Sequence, residues 1–261
     1  MVFLKDDGKT VHCSGSLLHP EYVITAGHCF VDKEGDYPAN PSIDEVIAGF
    51  GVDDINKIDL TFLPIQKKKI KKVHFHKQYR YPHAYNDIAI VELNDPVKIT
   101  ETVYPICIPD SPNSNPDSME GDFVTLVGYG PDTDSNKTLI NKLNQRIFPQ
   151  RRCAAIFDAE RTSTFQLSLK IKTTLPDAFR DGLICAGDSS HKGTCPGDSG
   201  APLMIEEFVD FVSGEKIFKV VAILHGGIEP CDNSVYPALY NRVASPENYE
   251  WILNFIQGNL L

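Results

Sequence analysis

Short apolar runs separated by glycine, proline and polar turns dominate the pattern of this chain. In the N-terminal half they predict two strands within 11–26, around a turn at His19-Pro20-Glu21, and further strands at 46–50, 65–75 and 88–93. In the C-terminal half they predict strands at 123–128, 143–148, 203–211, 217–224 and 238–243. Many short strands punctuated by turn residues are typical of β-sandwiches and β-barrels. The pattern therefore predicts an all-β protein with two groups of strands.

The last predicted element is a helix at the C-terminal end. Trp251, Ile252, Phe255 and Ile256 recur at helical spacing and share one face. A stretch rich in proline, asparagine, serine and aspartate, at about 94–120, separates the two strand groups. We therefore expect a first unit over about 1–100, a second over about 120–245, and a helix over 246–257.

Composition narrows the possible partners. The 261 residues are 42% hydrophobic and 23% charged, which suits one large all-β domain or two small ones. The formal net charge of −10 argues against general binding to nucleic acid. No apolar run approaches the roughly 18 residues that a membrane-spanning helix needs. We expect neither nucleic acid nor a membrane as a partner.

Three local motifs carry the candidate chemistry. They are Thr25-Ala26-Gly27-His28-Cys29, Asn86-Asp87-Ile88-Ala89-Ile90 and Gly197-Asp198-Ser199-Gly200-Ala201-Pro202-Leu203. A serine hydroxyl is a poor nucleophile until a base removes its proton. Three unrelated folds supply base, acid and nucleophile in three different chain orders, and the order His, Asp, Ser is that of chymotrypsin-like proteases. The motifs resemble the chymotrypsin (trypsin-like, S1) family, and the resemblance extends from Cys13 to the C-terminal helix.

The resemblance implies a fold and a mechanism. The fold is all-β, with two six-stranded antiparallel β-barrels and a C-terminal α-helix. The function is that of a secreted serine endopeptidase, in which His28 is the base, Asp87 orients it, and Ser199 forms the acyl-enzyme. The backbone N–H groups of Gly197 and Ser199 form the oxyanion hole.

Asp198 has a separate role by the same resemblance. In the family, this carboxylate pairs with the N-terminal ammonium that cleavage after a pro-segment creates. The usual Ile-Val-Gly-Gly-like start precedes the first motif in the family and is not found here. We therefore expect the 261-residue sequence to be N-terminally truncated and zymogen-like.

Seven cysteines favour an oxidising compartment, and Asn136-Lys137-Thr138 is a glycosylation sequon. Residues 1–7 do not form a signal peptide, because their apolar stretch is too short. Six cysteines allow 15 pairings, so their number does not choose among them. The resemblance implies the pairs Cys13–Cys29, Cys153–Cys185 and Cys195–Cys231, with an apolar pair, Val124 and Ile205, where the family has a further bridge.

Cys107 is the remaining cysteine. It is either a free thiol or the point at which a disulfide ties this domain to an N-terminal pro-region, as in many regulated family members. Protein or peptide substrates and serpin-type inhibitors are the other partners that the resemblance implies.

The specificity pocket departs from the trypsin pattern. Gly193 lies six residues before Ser199, where trypsin-like enzymes carry the aspartate that pairs with a substrate arginine or lysine. Without that aspartate, burying the cation costs several kcal/mol. Thr194 and Ala238 line the rest of the pocket, and Gly226 and Gly227 the opposite wall. We therefore expect an apolar P1 residue of medium to large size.

One pocket wall stays ambiguous in the sequence. Either Leu224-His225-Gly226 or His225-Gly226-Gly227 matches the family's Ser-Trp-Gly, and both registers remove the tryptophan. These changed walls leave an alternative function, that of a non-catalytic homologue acting as a binding or cofactor protein.

Three further segments differ from their surroundings and could have a function of their own. Residues 161–180 form an inserted loop, either beside the substrate cleft or as an ordinary surface insertion. The basic run Lys67–Lys72 is a solvated strand face or an exosite for acidic partners. The segment 50–65 lacks the paired acidic residues of family calcium loops, although Asp53 and Asp54 lie within it. No zinc-type spacing occurs, so we expect no metal and no cofactor.

Overall fold

The computed structural model describes residues 2–4, 11–31, 45–48, 66–101, 103–132, 137–138, 140–162, 166–188, 193–210, 214–227 and 236–258. The predicted strand over 46–50 is described as far as residue 48. Segment 50–65, the sequon residue Asn136, and Cys231 lie outside the described residues.

Among its described residues, the N-terminal half contains seven strands. They are β1 (Val2–Leu4), β2 (Val11–Ser14), β3 (Ser16–His19), β4 (Tyr22–Thr25), β5 (Glu45–Ala48), β6 (Gln66–Phe75) and β7 (Ala89–Leu93). They make one antiparallel sheet in the order β2-β1-β5-β6-β7-β4-β3. Only Gly15 separates the edge strands β2 and β3, so the sheet curls until its two edges meet in one chain segment. The seventh strand arises because this segment is broken at Gly15.

The C-terminal half contains the closed barrel. Its strands are β8 (Phe123–Gly128), β11 (Asn141–Ile147), β12 (Leu183–Gly187), β13 (Pro202–Asp210), β14 (Glu215–Gly226) and β15 (Ala238–Arg242). They close antiparallel in the order β11-β12-β15-β14-β13-β8. A small separate hairpin joins β9 (Pro131–Asp132) and β10 (Lys137–Thr138). The all-β fold class is thus confirmed, with β1, β9, β10 and β12 as strands that the apolar pattern did not predict.

In the part of the chain that the structure describes, helices occur at three places besides the short 3-10 helix Gly27–Phe30. They are α1 (Gln150–Thr162), α2 (Gln166–Thr174) and α3 (Pro246–Gly258). The predicted C-terminal helix is therefore present as α3. No helix in the described ranges is long and apolar enough to cross a membrane.

The inserted segment is a correction to the sequence interpretation. Residues 166–174 are helical and not a loop, and α1 before them is helical as well. Ile171 and Leu175 stand four residues apart and are buried together with Phe157. Burying an apolar side chain of this size contributes about 1.5–3 kcal/mol, which stabilises the helices against the barrel.

Two cores share one strand. The core of the N-terminal sheet contains Val23 and Val91 and also includes Val220 and Ile223 of β14. The barrel core, in contrast, includes Leu224 of the same strand. Of the predicted apolar pair, Val124 on β8 lies in the barrel core, and Ile205 on the adjacent strand β13 is partly buried and packs against it. Strand β14 therefore holds the two halves together.

The basic run lies on β6. Lys67, Lys69, Lys71 and Lys72 are exposed, and Lys71 pairs with Glu92 at 2.6 Å. This exposure fits a solvated strand face, and the exosite stays a hypothesis.

Candidate active site

Strand pairing brings His28 and Asp87 together. His28 lies in the 3-10 helix that follows β4, and Asp87 lies just before β7, while Thr25 of β4 pairs with Ala89 of β7. The His28 backbone N–H donates to Asp87 Oδ1 at 2.8 Å, and His28 Nδ1 lies 2.6 Å from Asp87 Oδ2. Because an ionised carboxylate only accepts, Nδ1 carries the proton and Nε2 is left as the basic nitrogen.

The electrostatics of this pair follow from burial and charge. Burial raises the pKa of Asp87, but the charge of His28 and the hydrogen bonds from His225 and His28 outweigh it and hold this pKa well below its usual range. Burial alone lowers the pKa of His28, yet the charge and hydrogen bond of Asp87 raise it above its ordinary value. The pair is therefore an ionised carboxylate beside a strengthened base.

A second histidine contacts the same carboxylate. His225 Nδ1 lies 2.6 Å from Asp87 Oδ2, and its ring meets the His28 ring edge-on with centroids 5.1 Å apart. His225 lies where the pairing of β14 with β15 is interrupted, between Leu224 and Gly226. The sequence places His225 in an ambiguous pocket wall, and no local signal links it to Asp87, which lies 138 positions away.

The Ser199 turn packs against the strand that leads to His28. The Ser14 N–H donates to the Ser199 carbonyl at 2.7 Å, and the Gly200 N–H donates to the Leu224 carbonyl at 2.9 Å. A Cβ on Gly200 would lie 2.1 Å from Thr25 Oγ1, so this close approach requires glycine. Serine and histidine are thus brought to one site from opposite halves of the molecule.

Ser199 and His28 are not hydrogen-bonded to each other through their side chains. Both residues are described, and the hydrogen bonds of the described chain do not include one between Ser199 Oγ and the His28 ring. Catalytic hydrogen bonds of this kind are often long without substrate and tighten when it binds.

Two backbone N–H groups beside Ser199 are available to a ligand. Within the described parts of the chain, neither the Gly197 N–H nor the Ser199 N–H donates to a protein acceptor. The Gly197 carbonyl accepts a hydrogen bond from Ser14 Oγ at 2.8 Å, and Gly197 adopts φ +99°. The hydrogen bond from Ser14 therefore fixes the turn, while the N–H groups of Gly197 and Ser199 remain free to bind a ligand.

Asp198 lies buried behind this turn. Its Oδ1 accepts from the Gly130 N–H at 2.6 Å and its Oδ2 from the Cys195 N–H at 2.8 Å. Burial raises the pKa of Asp198, and these two hydrogen bonds offset the rise only in part. Among the ion pairs between described residues, none involves Asp198.

Two glycines leave space for this carboxylate, and neither belongs to the three motifs that carry the candidate chemistry. A Cβ on Gly128 would lie 2.3 Å from Asp198 Oδ1, and one on Gly130 would lie 2.6 Å from Oδ2. The spacing Gly128-Tyr129-Gly130 is the available signal, but only the structure shows what it accommodates.

The predicted pocket residues differ in burial. Thr194 and Ala238 are buried, whereas Gly193, Gly226 and Gly227 are half-buried. Thr194 Oγ1 is buried without a hydrogen-bond partner. The described residues of this pocket carry no carboxylate at the predicted floor, because that position is Gly193.

Helix α2 reaches the same region. Lys170 Nζ lies 3.5 Å from the Gly227 carbonyl oxygen. Of the two alternatives for the insertion, the position beside the predicted pocket wall is the one that this contact supports.

The structure forms two of the disulfides that the resemblance implies, Cys13–Cys29 and Cys153–Cys185. Cys195 is also disulfide-bonded, and its predicted partner Cys231 lies outside the described residues. Cys107 is a free, exposed thiol. The first bridge anchors the residue that follows His28.

A closed barrel packed against a curled antiparallel sheet, with histidine and aspartate on one side and serine on the other, defines a chymotrypsin-like domain. The chain belongs to the trypsin family, since the family model described as Trypsin matches residues 1–252.

Curated relatives cover nearly all of this chain. It is 27% identical to melanization protease 1 of Drosophila melanogaster, over 95% of the chain and 58% of that protein. It is 27% identical to the CLIP domain-containing serine protease HP8 of Bombyx mori, over 94% of the chain and 62% of that protein. It is 26% identical to the clotting factor G beta subunit of Tachypleus tridentatus, over 94% of the chain and 72% of that protein. The chain thus spans about three fifths of the first two relatives.

Among solved structures, neuropsin, a serine protease expressed in the limbic system of mouse brain, superposes with a TM-score of 0.68. The match covers 98% of this chain and 92% of that chain at 19% identity. This likeness shows the fold.

Proposed function

We propose that this chain is the catalytic domain of a secreted serine endopeptidase that cleaves protein substrates through an acyl-enzyme on Ser199. The observation that carries the proposal is the His28–Asp87 pair beside a turn whose two N–H groups are free. The relatives with protease and clotting-factor names support both the activity and the extracellular location.

In the proposed mechanism, Ser199 Oγ attacks the carbonyl carbon of the scissile peptide bond while its proton passes to His28 Nε2. The carbonyl oxygen becomes an oxyanion and accepts hydrogen bonds from the N–H groups of Gly197 and Ser199. His28 then gives the proton to the leaving amine as the C–N bond breaks. Water repeats the sequence on the ester, with His28 again as base, and releases the acid product.

Asp198 is proposed to accept a new N-terminal ammonium when a pro-segment is cleaved. Its burial, its raised pKa and the lack of a described side-chain cation beside it all support this role. An ammonium there would stabilise the charged carboxylate and hold the Ser199 turn.

A covalent probe tests the proposed activity. A fluorophosphonate should label Ser199 in the activated enzyme, because only a serine with a working base reacts with it. Ser199→Ala should abolish both labelling and peptidase activity, whereas Ser118→Ala, at an exposed surface serine, should change neither. A correctly processed wild type without labelling would instead support the non-catalytic homologue.

The substrate preference is proposed to be apolar at P1, because Gly193 supplies no charge for an arginine or lysine. In a positional-scanning peptide library, phenylalanine, leucine or similar residues should dominate. Gly193→Asp should move the preference towards arginine and lysine. Dominant cleavage after arginine or lysine by the wild type would contradict the proposal.

Cys107 is proposed to bond a cysteine of an N-terminal pro-region. Its exposure and its lack of a partner in the described chain leave it accessible, and relatives with CLIP domains are longer than this chain. Peptide mapping of the secreted protein without reduction would identify the bond. Serpin-type inhibitors are proposed partners of the activated form.

A further inference from the structure

We propose that His28, Asp87 and His225 form a binding site for Zn²⁺, and that an ion bound there inhibits the enzyme. The inhibition rests on the proposed peptidase function, whereas the binding does not.

The donor atoms of this site converge from three separate parts of the chain. One ligand atom from each of the three residues lies within 4.8 Å of the other two. Both imidazole Nδ1 atoms stand 2.6 Å from the same oxygen, Asp87 Oδ2. Two imidazoles and one carboxylate, with a fourth position open to water, are a donor set that suits zinc.

The required adjustment is small. With zinc bonds of about 2.0–2.1 Å in a tetrahedron, neighbouring ligand atoms stand about 3.3 Å apart. The two contacts of 2.6 Å must therefore open by about 0.7 Å. His225 can move because it lies at an irregularity of β14, next to Gly226, around which a Cβ would meet nothing within 4 Å.

The negative charge of Asp87 and the solvent exposure of the two histidines favour the binding of a cation. The side chain of Asp87 is fully buried, while those of His28 and His225 are 23% and 17% exposed. Within the described residues, the ion pairs of Asp87 involve these two histidines alone. An ion can thus enter past the imidazoles and meet a carboxylate whose ion-pair partners in the described chain are two imidazoles.

Proton positions explain why such an ion would inhibit. At present each imidazole donates its Nδ1 proton to Asp87 Oδ2, and His28 Nε2 is free to accept a proton. A metal bound to Nδ1 uses the lone pair there, so the proton of each neutral ring moves to Nε2. No proton is lost overall, but His28 Nε2 can no longer accept the proton of Ser199.

A second group of possible ligands does not qualify. Cys13, His28 and Cys29 also lie close together, but the two sulfurs are bonded to each other in a disulfide and are not thiolates.

Binding is measured first, without any need for activity. The Ser199→Ala chain is titrated with ZnCl₂ by calorimetry and with Co²⁺ by visible absorption, in the absence of chelators and thiol reductants. We expect one ion per chain and the visible bands of a low-symmetry Co²⁺ complex.

Variants at His225 separate metal binding from hydrogen bonding. His225→Ser and His225→Gln keep a hydrogen-bond donor in the side chain, but each new side chain is a poor zinc ligand. The affinity for Zn²⁺ should fall about 10–100-fold or more. His74→Gln is the matched control, since His74 Nε2 also faces a carboxylate, Glu92 Oε2, at 2.9 Å but has no third donor. Unchanged affinity in both His225 variants, or loss only in His74→Gln, would overturn the site.

Inhibition is measured second, on the activated enzyme, with each variant compared with its own metal-free activity. Zn²⁺ should inhibit the wild type reversibly, with recovery on adding EDTA, and should inhibit His225→Ser at concentrations at least about tenfold higher. Binding through His225 with full retention of activity would overturn the inhibition. Binding by a protein that is inactive even without metal would leave the site standing and refute the proposed function.

Discussion

Two buried carboxylates flank the Ser199 turn, and they differ in what surrounds them. Asp87 accepts hydrogen bonds from two imidazole rings and from the His28 backbone. Asp198 accepts only from the backbone N–H groups of Gly130 and Cys195. Burial favours the neutral form of both, yet the pKa of Asp87 is lowered and that of Asp198 is raised. A group that can carry positive charge reverses the effect of burial, whereas two amides do not.

The two carboxylates therefore differ in whether a partner that can carry positive charge is present. The surroundings of Asp87 are complete in the described chain, because His28 is already oriented and polarised. Asp198, in contrast, is a charge that still lacks a counterion among the described residues. We infer that activation by cleavage acts through the Asp198 region, because the His28–Asp87 pair is already formed without it.

The largest expected effect comes from removing the charge of Asp87. In Asp87→Asn, kcat should fall about 10⁴-fold, because the imidazole loses the partner that fixes its tautomer. The raised pKa of His28 should also fall, since the carboxylate is what raises it. The acid limb of kcat/KM, which reports protonation of the base, should therefore move to lower pH.

Steady-state kinetics of the activated enzyme between pH 5 and pH 9 would measure both changes. An acid limb that stays in place would show that His28 is not the titrating base.

A smaller effect is expected at Asp198. Asp198→Asn removes the negative charge and one acceptor, so the turn carrying the oxyanion donors loosens. Losing one such donor costs about 10²–10³ in kcat. The acid limb should not move, because Asp198 does not contact His28. Asp110→Asn, at an exposed aspartate that pairs with Lys219, is the matched control and should retain activity. A shifted acid limb in Asp198→Asn would break the proposed separation of the two regions.

The smallest expected effect concerns the space around Asp198. In Gly130→Ala the new methyl would lie 2.6 Å from Asp198 Oδ2, and overpacking of this kind costs about 1–3 kcal/mol in the free energy of unfolding. At Gly182 a Cβ would meet nothing within 4 Å, so Gly182→Ala should change stability by less than about 0.5 kcal/mol. Urea unfolding of both variants in the Ser199→Ala background makes the comparison. Equal free energies of unfolding for Gly130→Ala and Gly182→Ala would show that the Asp198 carboxylate can move away from Gly130 at little cost.

The His28–Asp87 pair and the Ser199 turn were predictable, because His28, Asp87 and Ser199 each lie in a short motif of adjacent residues that can be recognised in the sequence. His225 was not predictable, since its contact with Asp87 depends on an irregularity in β14 and not on its neighbours in sequence. Helix α2 was missed because Ile171 and Leu175 give a short apolar pattern within an otherwise polar segment. The apolar pattern predicted most barrel strands, but β12 became evident only through its pairing with β11 and β15.

Because β14 contributes to both cores, it affects how the protein unfolds. Val220 and Ile223 belong to the core of the N-terminal sheet, while Val221 and Leu224 belong to that of the barrel. If one half unfolds, β14 is disrupted, and the core of the other half then loses the residues that this strand contributes to it. The two halves should therefore melt in one cooperative transition, with coinciding calorimetric and van't Hoff enthalpies, although the chain folds as two units in space. Because this strand belongs to both interiors, we expect no hinge motion between the two halves.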